Sequence, residues 1–385
     1  IIQIDSTPKA GNREVALYCA SLCRDAGLDV EFQEADLKGH KQLNLLARPK
    51  GSLQKDEIVF QTHLDTVEPG PMGAWTKTGS NAFKATIDGD RIYGLGVADV
   101  KLDFLCKLRA LKEFADKKMK NPFVLVGTYG EEIGMWGAQA LIEGKKFHSR
   151  KAIIGEPSEL QIVYANNGYM VVHFVFPFTG EEKKFNADHE EHHNSTTQEK
   201  LFYGKAVHSS TPHLGENAIL KMVDYLAKLP EGISVLKARG GSVVNTVPAE
   251  AQIEIEPSKI FTASVGQKLI KVVRDLQKLE REFAGFENLE FSPSHPTMNI
   301  GVLRTTPEGL RLQVSLRMTP QIQEAQINDW TEKMKGFANG AGAEFELERI
   351  SKPAFTSTKS DLVVGAVEIA KTLGLSEKPI TKAGG

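Results

Sequence analysis

Residues 58–65 have the sequence Ile58-Val59-Phe60-Gln61-Thr62-His63-Leu64-Asp65, which predicts a short buried strand that runs into a histidine and an aspartate. Residues two apart on a strand point to the same side, so His63 and Asp65 are expected to face one site together. In α/β proteins, ligands bind at the carboxyl ends of parallel strands. A histidine that merely ends a strand is the ordinary alternative, and this pair alone does not exclude it.

The elements around this strand predict an α/β fold with an insertion. Strands alternate with helices up to about Glu156, which is typical of a mixed, mostly parallel sheet. The pattern then changes to strands of alternating polarity with amphipathic helices, and a helix–strand pattern returns near Thr319. We therefore predict one α/β domain built from residues 1–164 and 319–385. Residues 165–318 are predicted to form an inserted α+β lid domain.

The composition excludes several classes of function. The chain has 385 residues, of which 41% are hydrophobic and 25% are charged, as in globular proteins of about two domains. A net charge of -2 offers no field that would attract nucleic acid or an anionic membrane, and no apolar run reaches the ~18 residues of a membrane helix. Three unpatterned cysteines and the lack of a visible signal peptide predict a cytoplasmic protein, although the chain begins at Ile1 and could have lost such a signal.

A glycine-rich turn precedes a predicted helix at Gly94-Leu95-Gly96-Val97-Ala98-Asp99-Val100-Lys101. It resembles a dinucleotide-binding fingerprint, but Asp99 takes the place of the third glycine. A carboxylate at this helix N-terminus would repel a pyrophosphate, so we reject a nucleotide site. The functional interpretation that remains is that Asp99 is a metal ligand, which the glycines allow to approach closely.

Acidic residues follow two further strands. Glu131 and Glu132 come after the apolar run 123–128, and Glu156 comes after the run 152–154. Adjacent carboxylates repel each other unless a cation or a proton lies between them, which fits one metal ligand and one general base. Each motif alone has an ordinary explanation, such as a solvated acidic turn. Together, His, Asp, Glu and Glu at one sheet edge predict a metal site.

One motif is rejected. Residues 189–193, His189-Glu190-Glu191-His192-His193, match the zincin pattern H-E-x-x-H, which needs a largely buried helix. The flanking residues are polar on both sides. We therefore predict an exposed loop at this position.

The ordered set of motifs resembles the M20 metallopeptidase family, which includes acetylornithine deacetylase, aminoacylase and several dipeptidases. The resemblance spans nearly the whole chain and implies a zinc-exopeptidase-like catalytic domain with an inserted lid and dimerisation domain. Its motifs are the His-x-Asp strand end, the glycine turn, the Glu-Glu pair, Gly155-Glu156-Pro157, Gly204-Lys205-Ala206-Val207-His208-Ser209-Ser210 and Asn245-Thr246-Val247-Pro248.

The resemblance also implies a role for each matching residue. His63 and Glu156 would hold one divalent ion and Glu132 the other, with Asp99 bridging the two. Two zinc ions are expected, with cobalt or manganese as alternatives. Glu131 would be the general base and Asp65 the group that orients His63. His208, Asn245 and Arg317 would bind substrate, and His208 would reach the neighbour's site in a homodimer formed through the lid.

The sequence departs from the family pattern in two places. The strand after Asn245-Thr246-Val247-Pro248 carries Glu256 where the family has its carboxylate-binding arginine, and Arg317 is expected to replace that arginine, as in the family's dipeptidases. The family's last metal ligand is a histidine beyond a Gly-Gly-Thr-Asp-like turn. This chain ends at Gly384-Gly385 with no histidine after His295, so the second metal is expected to take a further ligand from sequence beyond that turn.

The function that this resemblance implies is hydrolysis of an amide bond next to a free carboxylate, in a small peptide. The first alternative is an N-acyl amino acid deacylase, which uses the same chemistry. The second alternative, from another class, is a catalytically impaired relative that binds peptides or amino acids without cutting them.

Overall fold

The computed structural model describes residues 1–37, 39–52, 55–117, 119, 121–192 and 196–382. The chain divides into two compact units, Ile1–Leu160 and Gln161–Gly385. Within the described ranges, no helix has the length and apolar character that are needed to cross a membrane.

The described residues of the first unit form three α-helices and seven strands. The helices are α1 (Arg13–Asp25), α2 (Lys101–Lys112) and α3 (Trp136–Glu143). The strands are β1 (Leu28–Leu37), β2 (His40–Pro49), β3 (Glu57–His63), β4 (Thr86–Asp88), β5 (Arg91–Tyr93), β6 (Phe123–Thr128) and β7 (Ser149–Gly155). Two of them, β4 and β5, form a separate hairpin.

Five strands form the sheet of the first unit, in the order β1-β2-β6-β3-β7. β3 lies between β6 and β7 and runs parallel to both, whereas β2 is antiparallel to its two neighbours. Side chains alternate across β6: Phe123 and Leu125 pack under α1 and α2, and Val124 and Val126 pack on the opposite face with Leu141 of α3. The predicted mixed α/β fold is confirmed, with helices on both faces of the sheet.

In the part of the second unit that the structure describes, there are five α-helices and ten strands. The helices are α4 (Gly180–His192), α5 (Ala218–Leu226), α6 (Val265–Glu282), α7 (Glu324–Ala341) and α8 (Asp361–Thr372). The strands are β8 (Val163–Asn166), β9 (Gly168–Pro177), β10 (Gln198–Tyr203), β11 (Ile233–Gly240), β12 (Glu250–Ile260), β13 (Thr297–Thr305), β14 (Gly309–Met318), β15 (Glu344–Ser351), β16 (Ala354–Phe355) and β17 (Ile380–Lys382).

Seven of these strands form an antiparallel sheet in the order β10-β12-β11-β13-β14-β9-β15. Its core lies between the sheet and the helices α5, α6 and α7. Even-numbered residues of β9, such as Phe174 and Phe176, point into this core, and Trp330 of α7 is fully buried in it. A capping box at Ser264 and Gln267 begins α6. The remaining strands form a small sheet in the order β16-β8-β17.

The structure differs from the predicted domain boundaries. The first unit ends at Leu160 rather than at residue 164, and residues 319–385 lie in the second unit instead of returning to the first. The reason is that α7 buries Ile327, Trp330 and Met334 in the core of the second unit, and β15 pairs with β9 at the edge of its sheet. The helix–strand pattern after Thr319 therefore completes the antiparallel sheet.

The predicted loop at residues 189–193 is wrong up to His192, because α4 extends from Gly180 to that residue. The helix begins with reciprocal hydrogen bonds: the N–H of Glu182 donates to Oγ1 of Thr179, and the Glu182 carboxylate accepts the backbone N–H groups of Thr179 and Val265. His193 lies outside the described residues.

Candidate metal centre

The candidate metal centre lies at the carboxyl ends of three adjacent parallel strands of the first unit. His63, the last residue of β3, is opposite Thr128 at the end of β6, and Thr62 is opposite Gly155 at the end of β7. The chain after β6 carries Glu131 and Glu132, and the chain after β7 carries Glu156. The sheet register therefore places acidic residues on both sides of the histidine.

Asp65 connects two of these strand ends. Its Oδ1 accepts the backbone N–H of Glu131 at 3.2 Å, and its Oδ2 accepts that of Glu132 at 3.2 Å. Its side chain is buried, so these two bonds satisfy a carboxylate that would otherwise be costly to bury. Asp65 thereby fixes the turn that presents the two glutamates.

The ring of His63 is fully buried, and its two nitrogens have different partners. Nδ1 lies 3.1 Å from the main-chain oxygen of Asp65 and 3.7 Å from that residue's Oδ1, so the carbonyl is the closer acceptor. Nε2 lies 3.0 Å from Asp99 Oδ1 and 4.0 Å from Glu156 Oε1. With its hydrogen on Nδ1, the imidazole turns the lone pair of Nε2 toward the carboxylates, as a metal ligand does.

The turn before α2 brings Asp99 to the histidine. Gly96 has a φ of +80°, and a Cβ at this position would lie 2.5 Å from Cε of Lys101 and 3.0 Å from Cγ2 of Thr66. Only a glycine satisfies both the backbone angle and the close contact. Gly96 belongs to the turn that resembles a dinucleotide-binding fingerprint. It allows the chain before Asp99 to pass close to Thr66, which follows β3.

The described residues contain two groups that could hold a cation. Ligand atoms of His63, Asp99 and Glu132 all lie within 4.8 Å of one another, and so do those of His63, Glu131 and Glu156. One imidazole among carboxylates suits zinc and related divalent ions. The structure thus brings together the six residues predicted in this unit, while their separate roles stay predictions.

The charges of this centre are unbalanced without a cation. Burial, together with the nearby carboxylates of Asp99 and Glu131, raises the pKa of Glu132 to about 7. Burial alone would lower the pKa of His63, but hydrogen bonds to Asp65 and Asp99 outweigh it and raise the pKa to about 11. In both cases, the surrounding negative charge favours an added positive charge, which a divalent ion can supply.

The other three predicted site residues lie in the second unit, where Arg317 stands out. Its side chain is 5% exposed, and its Nε and Nη1 have no hydrogen-bond partner among the described residues. Its guanidinium lies over the ring of Tyr169, 4.0 Å from the centroid, because β14 places the two residues opposite each other. A buried guanidinium with unused donors is suited to a carboxylate that comes from elsewhere.

His208 is a neighbour of Arg317. Burial and the positive charge of Arg317 lower the pKa of His208, so the imidazole is neutral at pH 7. Its Nδ1 accepts the backbone N–H of Ser210 at 3.2 Å, which puts the ring hydrogen on Nε2. Asn245 has an exposed side chain, and its main-chain carbonyl oxygen accepts the backbone N–H of Ser209.

Sequence reasoning missed two features of these clusters. Tyr169 supports Arg317, and only the pairing of β9 with β14 could have shown it. Near the metal centre, Lys107 of α2 pairs with Asp103 at 2.7 Å and donates to the carbonyl of Gln61 at 2.7 Å. The spacing of four residues between Asp103 and Lys107 on a predicted helix was the signal that could have indicated this ion pair.

The family of the chain follows from its match to a known family model. Residues 59–385 match the model of peptidase family M20/M25/M40, a range that includes β3 from Val59 onward and all the strand-end residues described above. The chain belongs to this family. A curated relative, the acetylornithine deacetylase of Klebsiella pneumoniae strain 342, is 30% identical over 237 residues, which make up 62% of this chain and 53% of that protein. The chain thus spans about half the length of the curated relatives that it matches.

Solved structures of M20 enzymes have the same fold. The aminoacylhistidine dipeptidase of Vibrio alginolyticus aligns over 97% of this chain and 82% of its own, with a TM-score of 0.65 and 18% identity. The M20 metallo-carboxypeptidase of Sulfolobus solfataricus aligns over 100% of this chain and 84% of its own, with a TM-score of 0.59 and 19% identity. At these identities, the comparison concerns the fold alone. The family implies that a divalent metal is bound.

The charge crowding yields a test on the metal-free protein. The substitution Glu132→Gln removes a carboxylate that its neighbours disfavour, so it should stabilise the metal-free chain at pH 8, by on the order of 1 kcal/mol after solvent screening. The same substitution should greatly reduce the stabilisation that added Zn²⁺ gives. Urea denaturation with and without Zn²⁺ measures both effects. Glu113→Gln, at an exposed acidic position after α2, is the matched control, and equal behaviour of the two variants would contradict charge crowding.

Proposed function

We propose that this protein is a di-zinc hydrolase that cuts amide bonds next to a free carboxylate, as a dipeptidase or carboxypeptidase does. The observation that carries the proposal is the convergence of His63, Asp99, Glu132 and Glu156 at one sheet edge, with Glu131 beside them. The Nε and Nη1 atoms of Arg317, for which the described part of the chain offers no acceptor, support the carboxylate requirement. Zinc suits the donor set, and cobalt and manganese are the alternatives.

The proposed site uses its acidic residues in distinct ways. His63 and Glu156 would hold one ion and Glu132 the other, with Asp99 as a ligand available to both. When bound, such ions polarise the substrate carbonyl and make water acidic enough to be a nucleophile near pH 7. Glu131 takes the proton of the attacking water and passes it to the leaving amine. Asp65 keeps Glu131 in place through the bond to its backbone N–H.

Two groups of the second unit would act on the substrate itself. Arg317 binds the free carboxylate through charge-assisted hydrogen bonds from its guanidinium, on which Nε and Nη1 have no partner among the described residues. Nε2–H of His208 donates to the oxygen that becomes negative as the carbonyl is attacked, and Asn245 contributes a further hydrogen bond to the substrate. One such oxyanion donor accounts for about 3–4 kcal/mol of transition-state stabilisation.

A second candidate function is the deacylation of N-acyl amino acids. The relative of 30% identity is an acetylornithine deacetylase, which favours this candidate, whereas solved structures that share the fold include dipeptidases. Both substrate classes carry a free carboxylate next to the bond that is cut. A homodimer formed through the second unit is also proposed.

Substituting Glu131 tests the chemistry. Because Glu131 is assigned to proton transfer rather than to metal binding, Glu131→Gln should keep the metal content and lower kcat at least 100-fold. Metal analysis by mass spectrometry and steady-state kinetics on one preparation measure the two effects. Glu143→Gln on α3 is the control. Near-normal turnover would remove Glu131 from this role, and loss of metal would make it a ligand. A wild-type protein that binds metal but cuts neither substrate class would be the non-catalytic relative.

Substituting Arg317 tests the substrate class. The wild type should prefer a free carboxylate over the matching carboxamide by about 100-fold in kcat/KM, because two charge-assisted hydrogen bonds are lost with the amide. Arg317→Met should abolish most of that preference. Arg304→Met is the control, since the guanidinium of Arg304 already binds the carbonyls of Leu303 and Gly240. Measuring kcat/KM for dipeptides and for N-acetyl amino acids side by side identifies which substrate class is cut faster. A preference that survives in Arg317→Met would exclude this arginine from recognition.

A further inference from the structure

Lys101 is a fully buried lysine directly after the turn that carries Asp99. It is the first residue of α2, and its side chain has no exposed surface. Its Nζ donates to the main-chain oxygen of Ile4 at 3.0 Å and to Oγ of Ser6 at 3.3 Å. Because a buried ammonium group is costly unless it is hydrogen-bonded, these two contacts hold the start of α2 to the N-terminal segment 4–6.

The same N-terminal segment also binds the end of the β3 strand. The main-chain oxygen of Ser6 accepts the N–H of Thr66 at 3.1 Å, three residues after His63. Segment 4–6 is therefore hydrogen-bonded to two of the chain stretches that carry a candidate ligand, to the one after His63 through Thr66 and to the one with Asp99 through Lys101.

Packing at Gly96 links the same elements a second time. A Cβ on this glycine would lie 2.5 Å from Cε and 3.4 Å from Cγ of Lys101, and 3.0 Å from Cγ2 of Thr66. The aliphatic part of the lysine and the threonine methyl group thus both border the glycine turn. The turn before Asp99 has little freedom to move while the lysine stays in place.

We propose that Lys101 is a positioning residue that fixes Asp99 at its 3.0 Å distance from His63 by anchoring the start of α2 to segment 4–6. This inference rests on the metal site of the proposed function. Neither the charge nor the proton of Lys101 takes part in the reaction. Its effect is on the spacing of two ligands, and groups that orient ligands typically change metal affinity 10–100-fold when they are removed.

The experiment measures Zn²⁺ affinity of the metal-free full-length chain by competition with a chelator, alongside thermal unfolding. Lys101→Met keeps the unbranched stem and removes the ammonium, and it should weaken Zn²⁺ binding 10–100-fold. Ser6→Ala removes one of the two acceptors and should weaken binding less. Leu108→Ala on the same helix is the control, because it opens a cavity in the core and lowers the unfolding midpoint without touching the anchor.

The outcomes separate the two proposals. Weaker Zn²⁺ binding in Lys101→Met and Ser6→Ala, with unchanged affinity in Leu108→Ala, supports the positioning role. Wild-type affinity in Lys101→Met and Ser6→Ala overturns it and leaves the metal site intact. If Lys101→Met does not fold, Ser6→Ala decides alone. A wild-type chain that binds no Zn²⁺ overturns the proposed function and this inference with it.

Discussion

Mutual repulsion among carboxylates is the constraint on which the candidate site depends. Asp99, Glu131, Glu132 and Glu156 surround a buried histidine, and burial together with the neighbouring carboxylates raises the pKa of Glu132. A fold would gain stability by separating these groups, since like charges at short range destabilise the compact state. Their convergence is understandable if a divalent cation offsets the repulsion. Repulsion lowers the stability of the metal-free chain, and relief of that repulsion by a bound ion then increases the affinity for the ion.

The fold produces this crowding through strand order. Because β3 lies between β6 and β7 and is parallel to both, three strand ends meet at one edge of the sheet, each followed by a polar turn. The Asp99 turn adds a fourth ligand from the start of α2. Two buried side chains hold these turns. Asp65 accepts the backbone N–H groups of Glu131 and Glu132, and Lys101 donates to the main-chain oxygen of Ile4 in segment 4–6. Rigid strands and buried anchors together give the ligands defined positions.

The strand-end motifs of the first unit could be predicted closely from the sequence, whereas the sheet that β15 joins could not. The apolar runs in 58–65 and 123–128 predict the strands β3 and β6, and the ordered motifs predict which side chains meet. The helix and strand after Thr319, α7 and β15, were expected in the first unit because an amphipathic helix followed by a strand looks the same whichever sheet it joins. Only the burial of Trp330 and the pairing of β15 with β9 decide the question. Long-range pairing of this kind leaves no local signal, and neither do the contacts of Tyr169 and Lys101.

Metal-dependent anomalous scattering from crystals grown with Zn²⁺ tests the central claim most directly. The account predicts two zinc peaks at the sheet edge, one bound by His63 Nε2 and Glu156 and one bound by Glu132, with Asp99 between them and metal–ligand distances of about 2.0–2.2 Å. A chain that holds zinc elsewhere, or none at this edge with the four residues still in place, would contradict it.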